Sequence, residues 1–155
     1  MRATHAEIAR TLARGQWPGL LRVAGWPQPI PVCHATDCAG RPMVLARVGS
    51  ELARALGAVD GRSRVAAMLC VDDHPGLGRV RVGGWVHRLE PDEAREARLE
   101  FAEANPVADL LDVGAGVTIY AVEVDRVELQ HDARTIDIDV ESFIAADPNP
   151  RLLPR

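Results

Sequence analysis

Apolar residues along this chain come in short runs cut by glycine and proline, and the runs are too brief for helices. The first is Leu20-Leu21-Arg22-Val23-Ala24, followed by the turn Gly25-Trp26-Pro27-Gln28-Pro29. Residues 30–36 form the next run, Asp37-Cys38-Ala39-Gly40-Arg41 the next turn, and residues 42–48 the third run. Such punctuation predicts a three-strand meander. Gly49-Ser50 then opens a short helix over residues 51–56. Upstream, Ile8, Ala9 and Leu12 recur at helical spacing, so residues 4–14 read as a helix. Thr4 is its N-cap, and Glu7, three residues on, completes a capping box.

Residues 64–71 (Arg-Val-Ala-Ala-Met-Leu-Cys-Val) read as one continuous apolar strand, expected to be buried on both faces. The loop Asp72-Asp73-His74-Pro75-Gly76 turns it into residues 78–89. There Val80, Val82 and Val86 alternate with Arg79, Arg81 and His87 until the pattern slips at Gly83-Gly84. A slip at two glycines predicts a β-bulge or sharp bend of the kind that closes barrels. Glu90-Pro91-Asp92-Glu93 starts a helix with proline and acids in its first turn; Ala94, Ala97, Leu99, Phe101 and Ala102 are its apolar members and Asn105-Pro106 its stop. Residues 117–129 form the longest strand, with Ile119, Ala121, Glu123, Asp125 and Val127 expected on one face and Tyr120, Val122, Val124 and Arg126 on the other. A turn at Asp132-Ala133, a short strand over 135–140 and a helix over 141–146 complete the pattern. The order predicts a mainly β barrel with short flanking helices in a single domain over 1–155: an N-terminal helix at about 4–14, the barrel at about 19–140, and a C-terminal helix and tail over 141–155.

Composition narrows the chemistry more than it names it. The 155 residues suffice for a real core, built from Val, Leu, Ala and Ile because only 4% of residues are aromatic. A net charge of −4 with arginines spread along the chain leaves no basic stripe, so nucleic acid is not an expected partner. All 18 basic side chains are arginine, which removes Schiff-base, P-loop and lysine-base mechanisms together. Cys33, Cys38 and Cys70 make an odd set without metal-knuckle spacing; no metal site is expected, and a reduced compartment is. The N-terminus carries no signal-peptide core and no run is long enough to span a membrane, so a cytoplasmic protein is expected.

Most motif-like pieces fail a chemical test. Gly76-x-Gly78-x-x-Arg81 begins like a dinucleotide fingerprint, but its sixth position is arginine and a strand follows. Asp137-x-Asp139-x-Glu141 lacks the glycine and the bidentate glutamate of a calcium loop, and its aspartates read as one solvated strand face. His34, His74, His87 and His131 show no metal-ligand spacing. His131 beside Asp132 could be an oriented base or haem ligand, against which its turn position implies a solvated side chain. No serine sits in a nucleophile elbow. The segment with the best chemical case is Arg47-Val48-Gly49-Ser50-Glu51-Leu52-Ala53-Arg54: Ser50 opens a helix whose free N–H groups lie beside Arg47 and Arg54, a phosphate cradle. Its plainer reading is a serine that caps its own helix between two solvated arginines.

The meander, Gly40-Arg41-Pro42, the Gly49-Ser50 helix, the strand over 65–71, Gly84-Trp85-Val86-His87-Arg88-Leu89, Asn105-Pro106 and the strand over 120–129 together resemble the FMN-binding split barrel of the pyridoxamine-phosphate-oxidase-like superfamily. Leu110-Leu111-Asp112-Val113-Gly114, Asp139-Val140-Glu141-Ser142-Phe143 and Ala145-Ala146-Asp147-Pro148-Asn149-Pro150 are similar to its haem-utilisation-type branch. The resemblance implies a split β-barrel and a homodimer that binds a small molecule, FMN, in paired clefts, as a flavin-dependent oxidoreductase of unknown substrate. Its phosphate-holding serine and arginines match Arg47, Ser50 and Arg54, while the lysine usual on that helix is replaced, in one alignment, by Leu52. Haem is the second cofactor candidate, and a cofactor-free or haem-binding dimeric module without redox catalysis is the alternative function. The haem branch carries a second, C-terminal domain, which this chain is expected to lack. Trp85, Val86 and the strand over 117–129 are the apolar residues expected to meet a two-fold mate.

Overall fold

A computed structural model describes residues 3–57, 64–72 and 76–152. Its first element is α1 (His5–Ala13), started by the expected capping box: the Thr4 hydroxyl accepts from the Glu7 amide while the Glu7 carboxylate accepts from the Thr4 amide. Strands β1 (Gly19–Val23), β2 (Ile30–Val32), β3 (His34–Thr36) and β4 (Pro42–Arg47) follow, then α2 (Glu51–Ala55), β5 (Val65–Val71), β6 (Arg79–Arg88) and α3 (Pro91–Ala104). A 3-10 turn (Ala108–Asp112) leads into β7 (Val117–His131), β8 (Arg134–Ile138), α4 (Val140–Ala145) and a final 3-10 turn (Pro150–Leu152). Asp73, His74 and Pro75 of the expected loop lie outside the described residues.

All strand pairs are antiparallel, in the order β2-β1-β5-β6-β7-β4-β3, with β8 on the far half of β7. The two ends of that order, β2 and β3, are neighbours in the chain. The middle run of the expected meander is therefore one bent segment: before Cys33 it pairs with β1, after Cys33 it pairs with β4, and the bend nearly closes the barrel. The opening lies along β7, which pairs with β4 over residues 117–121 and with β8 over 127–131.

The slip at Gly83-Gly84 is a bulge, and the extra residue lies across the ladder from it. Gly83 pairs with Arg126 and Gly84 with Val124, so Asp125 of β7 has no opposite number. Gly84 has to be glycine because a Cβ there would stand 2.0 Å from the Glu123 carbonyl oxygen. The bulge corrects the expected faces of β7. Val117, Ile119 and Ala121 face outward under α3, while Tyr120 and Val122 face the barrel interior. Beyond the bulge the alternation changes phase, so Val127 and Leu129 join Tyr120 and Val122 inside rather than Ile119 outside.

Two cores result. One fills the barrel, with Leu21, Leu69, Val80, Val82, Val86 and Leu129 fully buried. The other lies between α3 and the outer faces of β3, β4 and β7, where Phe101 and Ala97 pack on Met43, Leu45, Ile119 and Ala121. This placement reverses one expectation about double burial. β4 is buried on both faces, whereas β5 alternates buried and half-buried positions because no helix covers its outer side. Leu99, read as an apolar member of α3, points to solvent at 65% exposure. Val86, expected on an outer apolar face with Trp85, is fully buried, while Trp85 is 46% exposed.

Polar ties hold the ends to the barrel. Arg10 is 1% exposed, and its guanidinium donates to the carbonyls of Phe143, Ile144 and Asp37, so α1, α4 and the turn after β3 meet on one side chain. Asp139, expected on a strand face, is instead the N-cap of α4 and accepts from the Ser142 amide. The β7–β8 turn falls at Asp132-Ala133, both left-handed (φ 51° and 61°), the conformation a two-residue hairpin with the native twist demands.

Candidate functional site

The corner at α2 comes first, because its residues were the phosphate candidates. Arg47, the last residue of β4, points at the 3-10 turn before β7, where Nη2 lies 2.7 Å from Asp109 Oδ1 and 2.9 Å from Asp112 Oδ2. The two carboxylates raise the Arg47 pKa above its ordinary value, the Asp109 hydrogen bond being the largest cause. The Ser50 hydroxyl accepts from the Ala53 amide and caps α2. Arg54 turns back to donate to the Gly49 carbonyl at 3.2 Å. The structure thus brings Arg47, Ser50 and Arg54 to one corner, and each is engaged within the fold. An incoming phosphate dianion would have to displace Asp109 and Asp112 from Arg47, and α2, at five residues, offers it only a short helix dipole. The residues as arranged do not fit the phosphate of FMN.

His131 is not the solvated turn residue its position implied. It ends β7 at 18% side-chain exposure, with Nδ1 2.7 Å from the Leu77 carbonyl oxygen and Nε2 3.3 Å from Asp132 Oδ2, and its ring meets His5 edge-on. His34 is deeper still: Nε2 lies 2.7 Å from the Trp17 carbonyl, Nδ1 has no partner, and burial pushes its pKa below the usual imidazole value. A Cβ on Gly19 would meet its ring at 2.7 Å, so the imidazole is packed as a core side chain. His87 is half-buried beside Arg41 and Arg64, and burial followed by those cations lowers its pKa too. The cysteines are free and dispersed, Cys38 donating its thiol to Glu100. No group of three metal-ligating side chains exists among the described residues.

A broad concavity lies elsewhere, between the first half of α3, the end of β6 and the start of β7. It has a volume of about 550 Å³, within the range of small-molecule sites. Pro91, Ala94, Arg95 and Arg98, a stripe at helical spacing, form one wall. Val113, Gly114, Val117, Thr118 and Ile119 form the other, and Arg88, Leu89 and Glu90 close the end. The lining is therefore apolar with cationic points. Arg95 pairs with Asp92 on its own helix. Arg88 and Arg98 make no ion pair or side-chain hydrogen bond among the described residues, unlike Arg41, Arg47, Arg64, Arg79, Arg81 and Arg126. Sequence reasoning missed this cleft because its walls come from separate segments. A signal was present in Pro91, Ala94, Arg95 and Arg98, a stripe beside the narrow buried stripe of Ala97, Phe101 and Ala104.

No protein-family model and no curated protein matches the sequence. Solved structures do. The fold superposes on a heme binding protein from Mycobacterium smegmatis with a TM-score of 0.72 at 23% identity, covering 97% of this chain and 64% of that one. General stress protein 26 from Bacillus anthracis superposes at 0.56 and 13% identity over 86% of this chain and 98% of its own. A protein related to general stress protein 26, of the pyridoxinephosphate oxidase family, from Clostridium acetobutylicum matches at 0.51 and 8% identity, covering 81% and 87%. The fold is accordingly the split barrel that these structures share, as the resemblance implied. The chain spans less than two thirds of the heme binding protein. No described helix is long and apolar enough to cross a membrane.

Proposed function

We propose that this protein is a ligand-binding split barrel that seats a planar aromatic anion in the α3 cleft. The observation that carries the reading is the cleft itself: about 550 Å³, apolar walls, and two arginines without a partner at its margin. An apolar trough strips water from a flat aromatic body, and guanidinium groups with no internal carboxylate are available for charge-assisted hydrogen bonds to its acid groups. FMN, the cofactor expected from the sequence, belongs to this chemical class, and so does haem, the ligand in the name of one structural neighbour. Either would bring its own redox chemistry, because no thiol or imidazole lines the cleft and Thr118 and Glu90 are its side chains with a hydroxyl or carboxylate. In this reading the protein binds, orients and shields; the fit is to Arg88 and Arg98 and not to Arg47, Ser50 and Arg54.

A spectrum of protein purified without added cofactor, followed by titration with FMN and with haemin, tests this. Flavin bands or a Soret band that develop to one equivalent, and that weaken about tenfold or more in Arg98→Ala, support the cleft and choose between the two sources. Binding of neither, or binding indifferent to Arg98, overturns it. The homodimer belongs to the same proposal, with Trp85 as its most exposed aromatic. A monomer by sedimentation at micromolar concentration, with and without ligand, removes that part.

A further inference from the structure

We infer that the α3 cleft is built for a rigid apolar ligand with two separate acid groups, one answered by Arg88 and the other by Arg98. The inference rests on the cleft reading above and narrows its ligand class. The two unpartnered cations come from different elements on the same lining. Arg88 lies at the last position of β6, opposite Tyr120, three residues before α3 begins. Arg98 lies seven residues along α3 from Pro91, an axial rise of about 10 Å. Arg95, between them in sequence, pairs with Asp92 on the exposed face of α3. Pro91, Ala94 and Val113 supply the accessible apolar surface of the lining, above the buried Leu89, Val117 and Ile119. The only carboxylate on the lining, Glu90, pairs with neither arginine.

That arrangement is electrostatically lopsided in a specific way. A ligand with one compact acid group answers both arginines only by drawing two exposed side chains from different elements onto one point, which costs their rotamer freedom. A ligand with acid groups at two edges of a stiff body answers both without bending, so its binding does not have to order a flexible chain. Guanidinium suits this role because its planar fork grips a carboxylate bidentately and fixes its direction as well as its position.

The matched pair 2-naphthoate and naphthalene-2,6-dicarboxylate tests the count of acid groups on one rigid body. Each is titrated by its own fluorescence or by NMR shifts against wild type, Arg88→Ala, Arg98→Ala, the double variant and Ala94→Trp, which fills the trough; circular dichroism checks that every variant is folded. The dicarboxylate is expected to lose about tenfold in affinity with each single arginine variant and about a hundredfold in the double variant. The monocarboxylate is expected to lose about tenfold with one arginine only, the double variant being no worse. A dicarboxylate whose double variant is no weaker than its worse single variant overturns the two-acid inference while leaving the cleft in place. If folded Ala94→Trp binds both probes as tightly as wild type, the cleft reading fails, and this inference with it.

Discussion

The α2 corner and the α3 cleft both gather arginines beside a helix start, and they use them in opposite ways. At the α2 corner, Arg47 ties the end of β4 to the turn before β7 through Asp109 and Asp112, and Arg54 folds back on Gly49. At the cleft, Arg88 and Arg98 stand beside apolar walls, and the carboxylate of the lining, Glu90, pairs with neither. A cluster of serine and arginine in sequence thus marks a fold's internal bracing as readily as a binding site, and the distinction lies in the acids that arrive from distant segments. Asp109 and Asp112 stand more than sixty residues after Arg47 and reach it only because β7 pairs with β4.

The contrast can be broken most forcefully from beneath the cleft. Phe101 is fully buried under α3, so Phe101→Ala should cost about 3–5 kcal/mol, read from urea or guanidinium unfolding, and should abolish ligand binding at the cleft as α3 loosens. A variant of unchanged stability would show that α3 is not anchored there. Ser50→Ala removes the α2 cap and should cost about 1 kcal/mol in the same assay without altering ligand affinity, since its hydroxyl serves only the Ala53 amide.

Acid should act on the barrel before it acts on either corner. His34 is held neutral by burial, with a folded pKa below its unfolded value of about 6.5. At pH below that value the unfolded chain binds a proton the native ring refuses, so stability is full above it and falls as pH drops through it. Denaturant midpoints compared at pH 7.5 and 5 should show this loss, and His34→Gln should lose less between the two pH values than wild type does. An equal loss in both would place the acid sensitivity elsewhere. The smallest effect is expected at the corner itself: Arg54→Ala should leave FMN affinity within about twofold of wild type, because its guanidinium is engaged with Gly49. A tenfold loss would return the phosphate to the α2 corner.

What the sequence revealed was what is local or what neighbouring turns enforce. The Thr4–Glu7 box, the Ser50 cap, the Asn105-Pro106 stop and the Asp132-Ala133 turn each depend on residues within a few positions of one another. The split barrel was legible from their order. The faces of β5 and β7 were not. Nothing in residues 64–71 says that α3 lies over β4 instead, and the two glycines of β6 announce a bulge without saying that Asp125 on the opposite strand supplies the extra residue. The cleft was hidden for the same reason: its walls are separated by residues 99–112, the rest of α3 and the turn after it, and only the pairing of β6 with β7 brings them face to face.

Asp125 makes β7 a strand with two reading frames. Its first half covers the outer core with odd-numbered residues and the barrel with even-numbered ones; one unpaired residue later, the odd-numbered Val127 and Leu129 belong to the barrel. Deleting Asp125 would only make Gly83–Arg126 and Gly84–Val124 consecutive pairs and keep Val127 and Leu129 inside, whereas a single residue inserted between Asp125 and Val127 would act like a frameshift in three dimensions. The insertion would leave every downstream residue type unchanged while turning Val127 and Leu129 to water and Glu128 to the core, so this half of the strand has no room for an added residue.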